Sequence, residues 1–198
     1  MTEGKVIPLR RIEGTIDELS DRALVSAVAA GDQAALGALY DRFHRDVYRF
    51  VARLAGAHDP SVDDLVQSTF LEAHRSAPRF RGDSAVKTWL FGIAANLVRD
   101  HVRGDLRQRA IATRLAAVPT APGPMPDRGL ELEQRRRYLA LAVEALSPAL
   151  KEAYVMCVIE EVPGKDAARA LGIREASLWR RLSDARDALR ATLEELQR

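Results

Sequence analysis

At 198 residues, with 47% hydrophobic and 29% charged side chains, the chain has the make-up of a soluble globular protein of one medium or two small domains. No apolar run approaches the roughly 18 residues needed to span a bilayer, the amino-terminal MTEGKVIPLRRIEG lacks the apolar centre of a secretory signal, and the single Cys157 excludes an internal disulfide. Residues 1–72 carry 8 basic and 12 acidic side chains, 73–109 carry 8 and 3, 131–163 carry 4 and 6, and 164–190 carry 7 and 4, an alternation that predicts two separate anion-binding faces.

Residues 1–19 carry no usable pattern, and disorder is the default expectation for such a terminus. Leu24 and Val28, one turn apart, predict a short first helix. Leu36, Leu39, Phe43, Val47, Phe50 and Leu54 recur every three or four residues, one apolar stripe along a long second helix. Asp32 is its predicted N-cap and Gly56 its stop. Ser61-Val-Asp-Asp64 reads as a capping box at the head of a third helix, with Leu65, Thr69, Phe70 and Ala73 inward. A fourth helix from near Ser84 is expected to bury Val86, Leu90, Ile93 and Leu97. These four close a first domain, 20–109.

Residues 110–129 read as a linker. The stretch AAVPTAPGPMPDRG, 116–129, holds four of the nine prolines and two glycines, and proline removes the amide donor a helix needs. Helical patterning resumes near Leu130, breaks at Ser147-Pro148, opens again after Pro163-Gly164, stops at Gly172 and runs from about Glu175 to Leu196. The second domain is therefore 130–198. The fold class is all-α: two small helical domains joined by a proline-rich linker.

Ala168, Gly172 and Leu178 have helix-turn-helix spacing: a small residue where two helices touch, glycine in the turn, and an apolar residue packing back. Leu178, Leu182, Ala185 and Leu189 make the inward stripe of the last helix. Arg174, Ser177, Arg180 and Arg181 lie outside it, near the end where recognition helices meet bases and phosphates. An ordinary helical corner with a solvated arginine face is the bland alternative. In the first domain, Arg79, Arg81 and Lys87 surround a Gly82-Asp83 turn, while Asn96, Arg99 and Arg103 share one helix face. Such a loop and face suit a single DNA strand. Phe80 has two readings, a base-stacking platform or the commoner packing plug; Trp89 is assigned to core support.

The stretch DLVQSTFLEAHRSAPRFRGDSAVKTWLFGIAANLVRDHVR, 64–103, resembles region 2 of the extracytoplasmic-function (ECF) sigma factors of bacterial RNA polymerase. The segment LSPALKEAYVMCVIEEVPGKDAARALGIREASLWRRLSDARDAL, 146–189, resembles their region 4. The resemblance implies a cytoplasmic, non-enzymatic transcription initiation factor whose partners are core RNA polymerase, through its β′ clamp helices and β flap, and promoter DNA. An anti-sigma factor is a further partner of many relatives. It places core-polymerase binding on Asp64, Gln67, Ser68 and Leu71. It places the opened −10 element on Arg79, Phe80, Arg81, Lys87, Asn96, Arg99 and Arg103, with a base flipped out of the stack at a cost of a few kcal/mol. It places the −35 element on Arg174, Ser177, Arg180, Arg181 and Arg186.

Three departures stand out against that pattern. Pro163-Gly164-Lys165-Asp166 replaces a Ser-Tyr-Glu-Glu-like start, Trp179 stands where a basic residue is usual, and so does Asp184. A carboxylate there repels phosphate, so weaker or unusual −35 binding is expected. Trp179 is read evenly as a packing aromatic or as a DNA or partner contact.

Two rival classes fit less well. A ligand-gated helix-turn-helix repressor generally needs a dimer interface to span two half-sites, and no heptad stripe supplies one. An enzyme needs a site, yet His44, His58, His74 and His101 have no partners at ligand or triad spacing and no glycine-rich phosphate loop follows a strand. No metal and no cofactor are expected. Cys157, between Met156 and Val158, reads as a buried small hydrophobe.

Overall fold

The computed structural model describes residues 19–56, 59–112 and 131–196. Eight α-helices and no strand lie among them: α1 (Asp21–Ala29), α2 (Gln33–Ala55), α3 (Val62–Ser76), α4 (Val86–Ala112), α5 (Glu131–Ala145), α6 (Pro148–Tyr154), α7 (Gly164–Ala170) and α8 (Glu175–Leu196). The expectations for residues 1–18 and for the linker between 113 and 130 lie outside the described residues. Helix α4 runs on to Ala112, past the boundary read at 109.

Helices α1 to α4 build the first body around α2. The Asp32 carboxylate accepts hydrogen bonds from the Ala34 and Ala35 amides at 2.8 and 3.1 Å, which satisfies two of the donors a helix start leaves open. Gly56 ends α2 at φ 112°, a backbone conformation that side chains disfavour. Leu39, Val47, Phe50 and Val51 are fully buried, each contributing about 1.5–3 kcal/mol by leaving water. Phe50 stacks on Phe91 of α4 with ring centroids 4.2 Å apart.

Two local expectations are corrected. Ser61 makes no side-chain cap; the Asp59 carboxylate instead accepts from the Ser61 amide at 2.8 Å, so the acid two residues upstream braces the approach to α3. Burial alone would raise the Asp59 carboxyl, but that amide and His101, at 3.2 Å, hold it below the ordinary range. On α4 the buried stripe is Val86, Leu90, Phe91, Ala94, Ala95 and Val98, with Ile93 and Leu97 only half-buried at its flank. Alanines fill positions that a search for large apolar residues passes over.

The second body is α5 to α8. Ala153, Met156, Leu178, Leu182 and Ala185 are at most 1% exposed and fill its centre. Pro148 occupies the first turn of α6, where its missing amide costs nothing. Helix α6 does not stop at Tyr154: it widens into a π turn, Val155–Ile159, closed by the Glu160 amide donating to the Val155 carbonyl at 2.9 Å. Glu161 then takes φ 54°. Such wide turns concentrate at functional positions. Cys157 lies in it, half-buried, and burial pushes its thiol up, away from nucleophilic use. Gly172, at φ 66°, makes the turn between α7 and α8.

The two bodies touch through α4 and α7. A Cβ added to Gly92 would stand 2.9 Å from the Ala170 carbonyl oxygen and 3.1 Å from the Ala170 Cβ. Only a bare backbone lets the helices approach so closely.

Candidate protein and nucleic-acid interfaces

Four exposed or half-exposed side chains on α3 are the residues expected to meet polymerase. Asp64 and Gln67 are exposed, Ser68 is half-buried, and Leu71 keeps 49% of its surface in water. They do not stand alone. Asp64, Gln67 and Leu71 share with Tyr40, Asp41, His44 and Tyr48 of α2 a shallow cleft of about 560 Å³. Tyr40 is 40% and Tyr48 41% exposed; Tyr40 stacks on His44 at 5.1 Å and tilts onto Phe70 at 4.8 Å. These contacts hold the Tyr40 ring, and the cleft offers apolar area rimmed by Asp41, Asp63 and Asp64. Sequence reasoning missed this α2 contribution. Its signal was present: Tyr40, His44 and Tyr48 recur every four residues beside the core stripe.

The basic residues of the first body fall into two groups. Arg79 and Arg81 are exposed on the loop before α4, and Arg81 Nε lies 3.3 Å from the Asp83 carboxylate. The turn itself is pinned from two sides: Arg22 of α1 donates to the Gly82 carbonyl at 2.6 Å and Arg169 of α7 to the Asp83 carbonyl at 2.6 Å. Gly82 takes φ 71°. Phe80 is half-buried and packs on Trp89 with centroids 4.7 Å apart, so its ring already has an intramolecular partner.

Helix α4 carries the second group, and acidic side chains of the second body reach it. Arg99 donates from Nε to Glu152 Oε1 at 2.9 Å and from Nη2 to Oε2 at 2.7 Å, a two-pronged pair with strong charge-assisted bonds. Nη1 of Arg99 donates to Asn96 Oδ1 at 3.1 Å. Glu152 is 4% exposed. Its hydrogen bonds hold the Arg99 guanidinium above the ordinary arginine range, against the opposite pull of burial. Glu160, delivered by the π turn, bonds Arg53 at 2.5 Å and lies 3.2 Å from the Lys87 ammonium. Lys87 also sits 5.2 Å above the Phe91 ring. Arg103 is exposed, 3.9 Å from Asp100. Thus α4 brings Asn96 and Arg99 together, with Arg103 a turn further on, while Lys87 stands on another side of the helix beside Glu160 and Asp46, and the loop arginines lie near its start.

Arg174, just before α8, and Arg180 on it are exposed, while Ser177 and Arg181 are half-buried. No acidic partner among the described residues pairs with these arginines. Arg186 stands apart from them, lining a groove with Leu139, Tyr154 and Val158 between α5 and α8. Trp179 is 51% exposed, so the ring is outside the core, although one side of it packs within the domain. Its six-membered part lies against Gly164, where an added Cβ would be 2.6 Å from Cζ2. Two of the departures noted in the sequence are therefore in mutual contact. Among the described residues no group of His, Cys, Asp or Glu could hold a metal ion, and no helix is long and apolar enough to cross a membrane.

Known proteins carry the same two bodies in the same order. Sigma-70 region 2 matches residues 39–108 and sigma-70 region 4 matches residues 136–189. The ECF RNA polymerase sigma factor SigM of Mycobacterium tuberculosis is 34% identical over 180 residues, spanning 87% of this chain and 84% of its own. The ECF RNA polymerase sigma-E factor of Haemophilus influenzae is 27% identical over 193 residues, spanning 91% and 98%. Among solved structures, CnrH in complex with the cytosolic domain of CnrY is similar with a TM-score of 0.61 at 28% identity, covering 88% of this chain and 97% of that one. Two helical regions in this order, matched over nearly the whole length of a 34% identical relative, establish the chain as a member of the ECF sigma factors: promoter-recognising, non-enzymatic initiation factors that work with core RNA polymerase.

Proposed function

We propose that this sigma factor docks on core polymerase through the α2–α3 cleft, reads duplex −35 DNA with the amino-terminal part of α8, and holds the opened −10 strand along α4 and the loop before it. It acts where polymerase acts, in the cytoplasm. The observation that carries this reading is the grip of Arg99 on Glu152, two parallel N–H···O bonds at 2.9 and 2.7 Å. Arginine gives that fork equally to carboxylate and to phosphate. Glu152 and Glu160 therefore stand in for DNA phosphates, and the compact arrangement is the form without promoter. Binding the −10 strand exchanges carboxylate for phosphate and parts the two bodies. An anti-sigma factor is a further partner of this compact form; the similar CnrH is held by the cytosolic domain of CnrY.

Run-off transcription with core polymerase on genomic fragments tests the activity as a whole. Replacing Asp64 and Gln67 by Ala together tests the cleft: both are exposed and cap nothing, so helicity and melting should hold. Core affinity should fall roughly tenfold, as expected when two interface side chains of moderate weight are lost. Wild-type core affinity in that variant would exclude the cleft as the docking face.

A further inference from the structure

Trp179 leaves 51% of its surface in water on a helix whose inward side chains Leu178, Leu182 and Leu189 are buried. A single exposed aromatic is ordinary; one that is exposed and held in place is less so. The ring rests on the bare backbone of Gly164, where an added Cβ would stand 2.6 Å from Cζ2 and 3.0 Å from Cη2. Any other residue at 164 would push the ring away. Along α8 the neighbours three before and four after Trp179, which share its side of a helix, are Ala176 and Ser183. Both are small and exposed, and Glu175, four before, is exposed as well, which leaves one side of the ring open among the described residues. Arg180, next to the ring along α8, has no acidic partner among the described residues, nor do Arg174 and Arg181. The contacts between the bodies at Gly92, Glu152, Glu160 and Arg169 do not involve Trp179.

An exposed strip of Trp179 and Ala176 beside the unpaired Arg180, on the exposed side of a helix-turn-helix recognition helix, has one chemical counterpart in duplex DNA. In the major groove only thymine presents a methyl group, and apolar side chains read it there. We infer that Trp179, with Ala176, reads the C5-methyl of a thymine in the −35 element, and that Gly164 is the positioning residue that keeps the indole in reach. The inference rests on α8 being the −35-reading helix and names the base chemistry it selects. The strip adds discrimination without a phosphate contact, so it leaves the salt dependence of binding unchanged.

The test uses holoenzyme and a −35 duplex selected from a randomised pool, with each thymine replaced in turn by deoxyuridine, which lacks only the methyl. For the wild type, one or two replacements should weaken binding roughly fourfold, the worth of one buried methyl group. Trp179→Ala should bind thymine and uracil versions alike, and Trp179→Phe should keep part of the difference. Gly164→Ala should abolish the discrimination in the wild type yet change nothing in the Trp179→Ala background, a coupling that a merely structural role would not produce. Undiminished thymine preference in both Trp179→Ala and Gly164→Ala would overturn the inference, as would a loss confined to core-polymerase affinity, which would make Trp179 a protein contact. If replacing Arg174, Arg180 and Arg181 leaves duplex binding intact, the reading of α8 itself has failed, a result separate from the thymine outcome.

Discussion

On α4, Arg99 spends its fork on Glu152 and Lys87 lies beside Glu160, whereas at the start of α8 Arg174, Arg180 and Arg181 meet no acidic partner among the described residues. Both faces are basic stretches that follow acidic ones in sequence. One is occupied from within and the other is open. A face that binds duplex DNA can stay exposed, because nonspecific electrostatic contact helps a protein find its site. A face that grips an unpaired strand finds its ligand only after polymerase has begun to part the duplex. If α4 is that face, as proposed above, its pairing with carboxylates satisfies the cations and leaves Glu152 buried without the penalty of an unpaired charge.

The sharpest way to break that comparison is to remove the α4 side chains. Replacing Asn96, Arg99 and Arg103 by Ala should lower permanganate reactivity of the −10 region on duplex promoters by roughly tenfold or more, the worth of two or three lost charge-assisted bonds. A premelted bubble template should restore transcription. If the bubble gives no rescue, α4 does not serve the opened strand. Replacing Arg174, Arg180 and Arg181 is the complementary experiment: occupancy of duplex promoters should fall, and the slope of log affinity against log salt should flatten by about one per lost phosphate contact. The same bubble should not rescue this variant. Identical responses of the two variants would erase the distinction between the faces.

A smaller effect sharpens the idea of an occupied face. Gly92→Ala should seat its methyl against Ala170 and loosen the docking of α4 on α7, while favouring the helix itself, where Ala exceeds Gly by about 1 kcal/mol. The radius of gyration of the free protein should rise. Affinity for a single-stranded −10 oligonucleotide should rise a fewfold, because less of the population is held closed. An unchanged radius and unchanged affinity would mean that the contact does not regulate access.

The smallest effect concerns the approach to α3. Asp59 titrates below its ordinary value of 3.8 when folded, so its stabilisation is fully present above about pH 4 and is lost as the pH falls through the folded value. Asp59→Asn should lower Tm by about 2–4 °C at pH 7, the worth of one capping interaction in a chain of this size. The gap between variant and wild type should narrow at pH 3. A gap independent of pH would assign the effect to something other than this carboxylate.

How much of this was legible in the sequence depends on the range of the interaction. The α2 stripe from Leu39 to Leu54, its Asp32 cap, the Gly172 turn and the Leu178–Leu189 stripe all follow from local periodicity and local backbone chemistry. The basic groupings on α4 and α8 were legible for the same reason, as helix faces. The α4 core stripe was read partly wrong because alanines at 94 and 95, not Ile93 and Leu97, take the most buried places. Glu152 and Glu160 gave no sign of their role, since their partners lie 53 and more residues away. Gly92 looked like an ordinary helix glycine until Ala170 was opposite it. The contact of Trp179 with Gly164 was visible only as two separate oddities.

The π turn at Val155–Ile159 has a hereditary consequence. A π turn is one residue more than an α-helix needs, so it is the natural trace of a single-codon insertion. Deleting one residue between 155 and 159 would return the segment to ordinary helical winding and rotate everything after it by about 100°. Glu160 would swing off Lys87 and Arg53, and α7 would lose its seat on Gly92. The seat of α8 on α6 would turn with it, so the Met156, Leu178 and Leu182 centre of the second body would have to repack before a lineage could shed the Glu160 contacts in one mutational event.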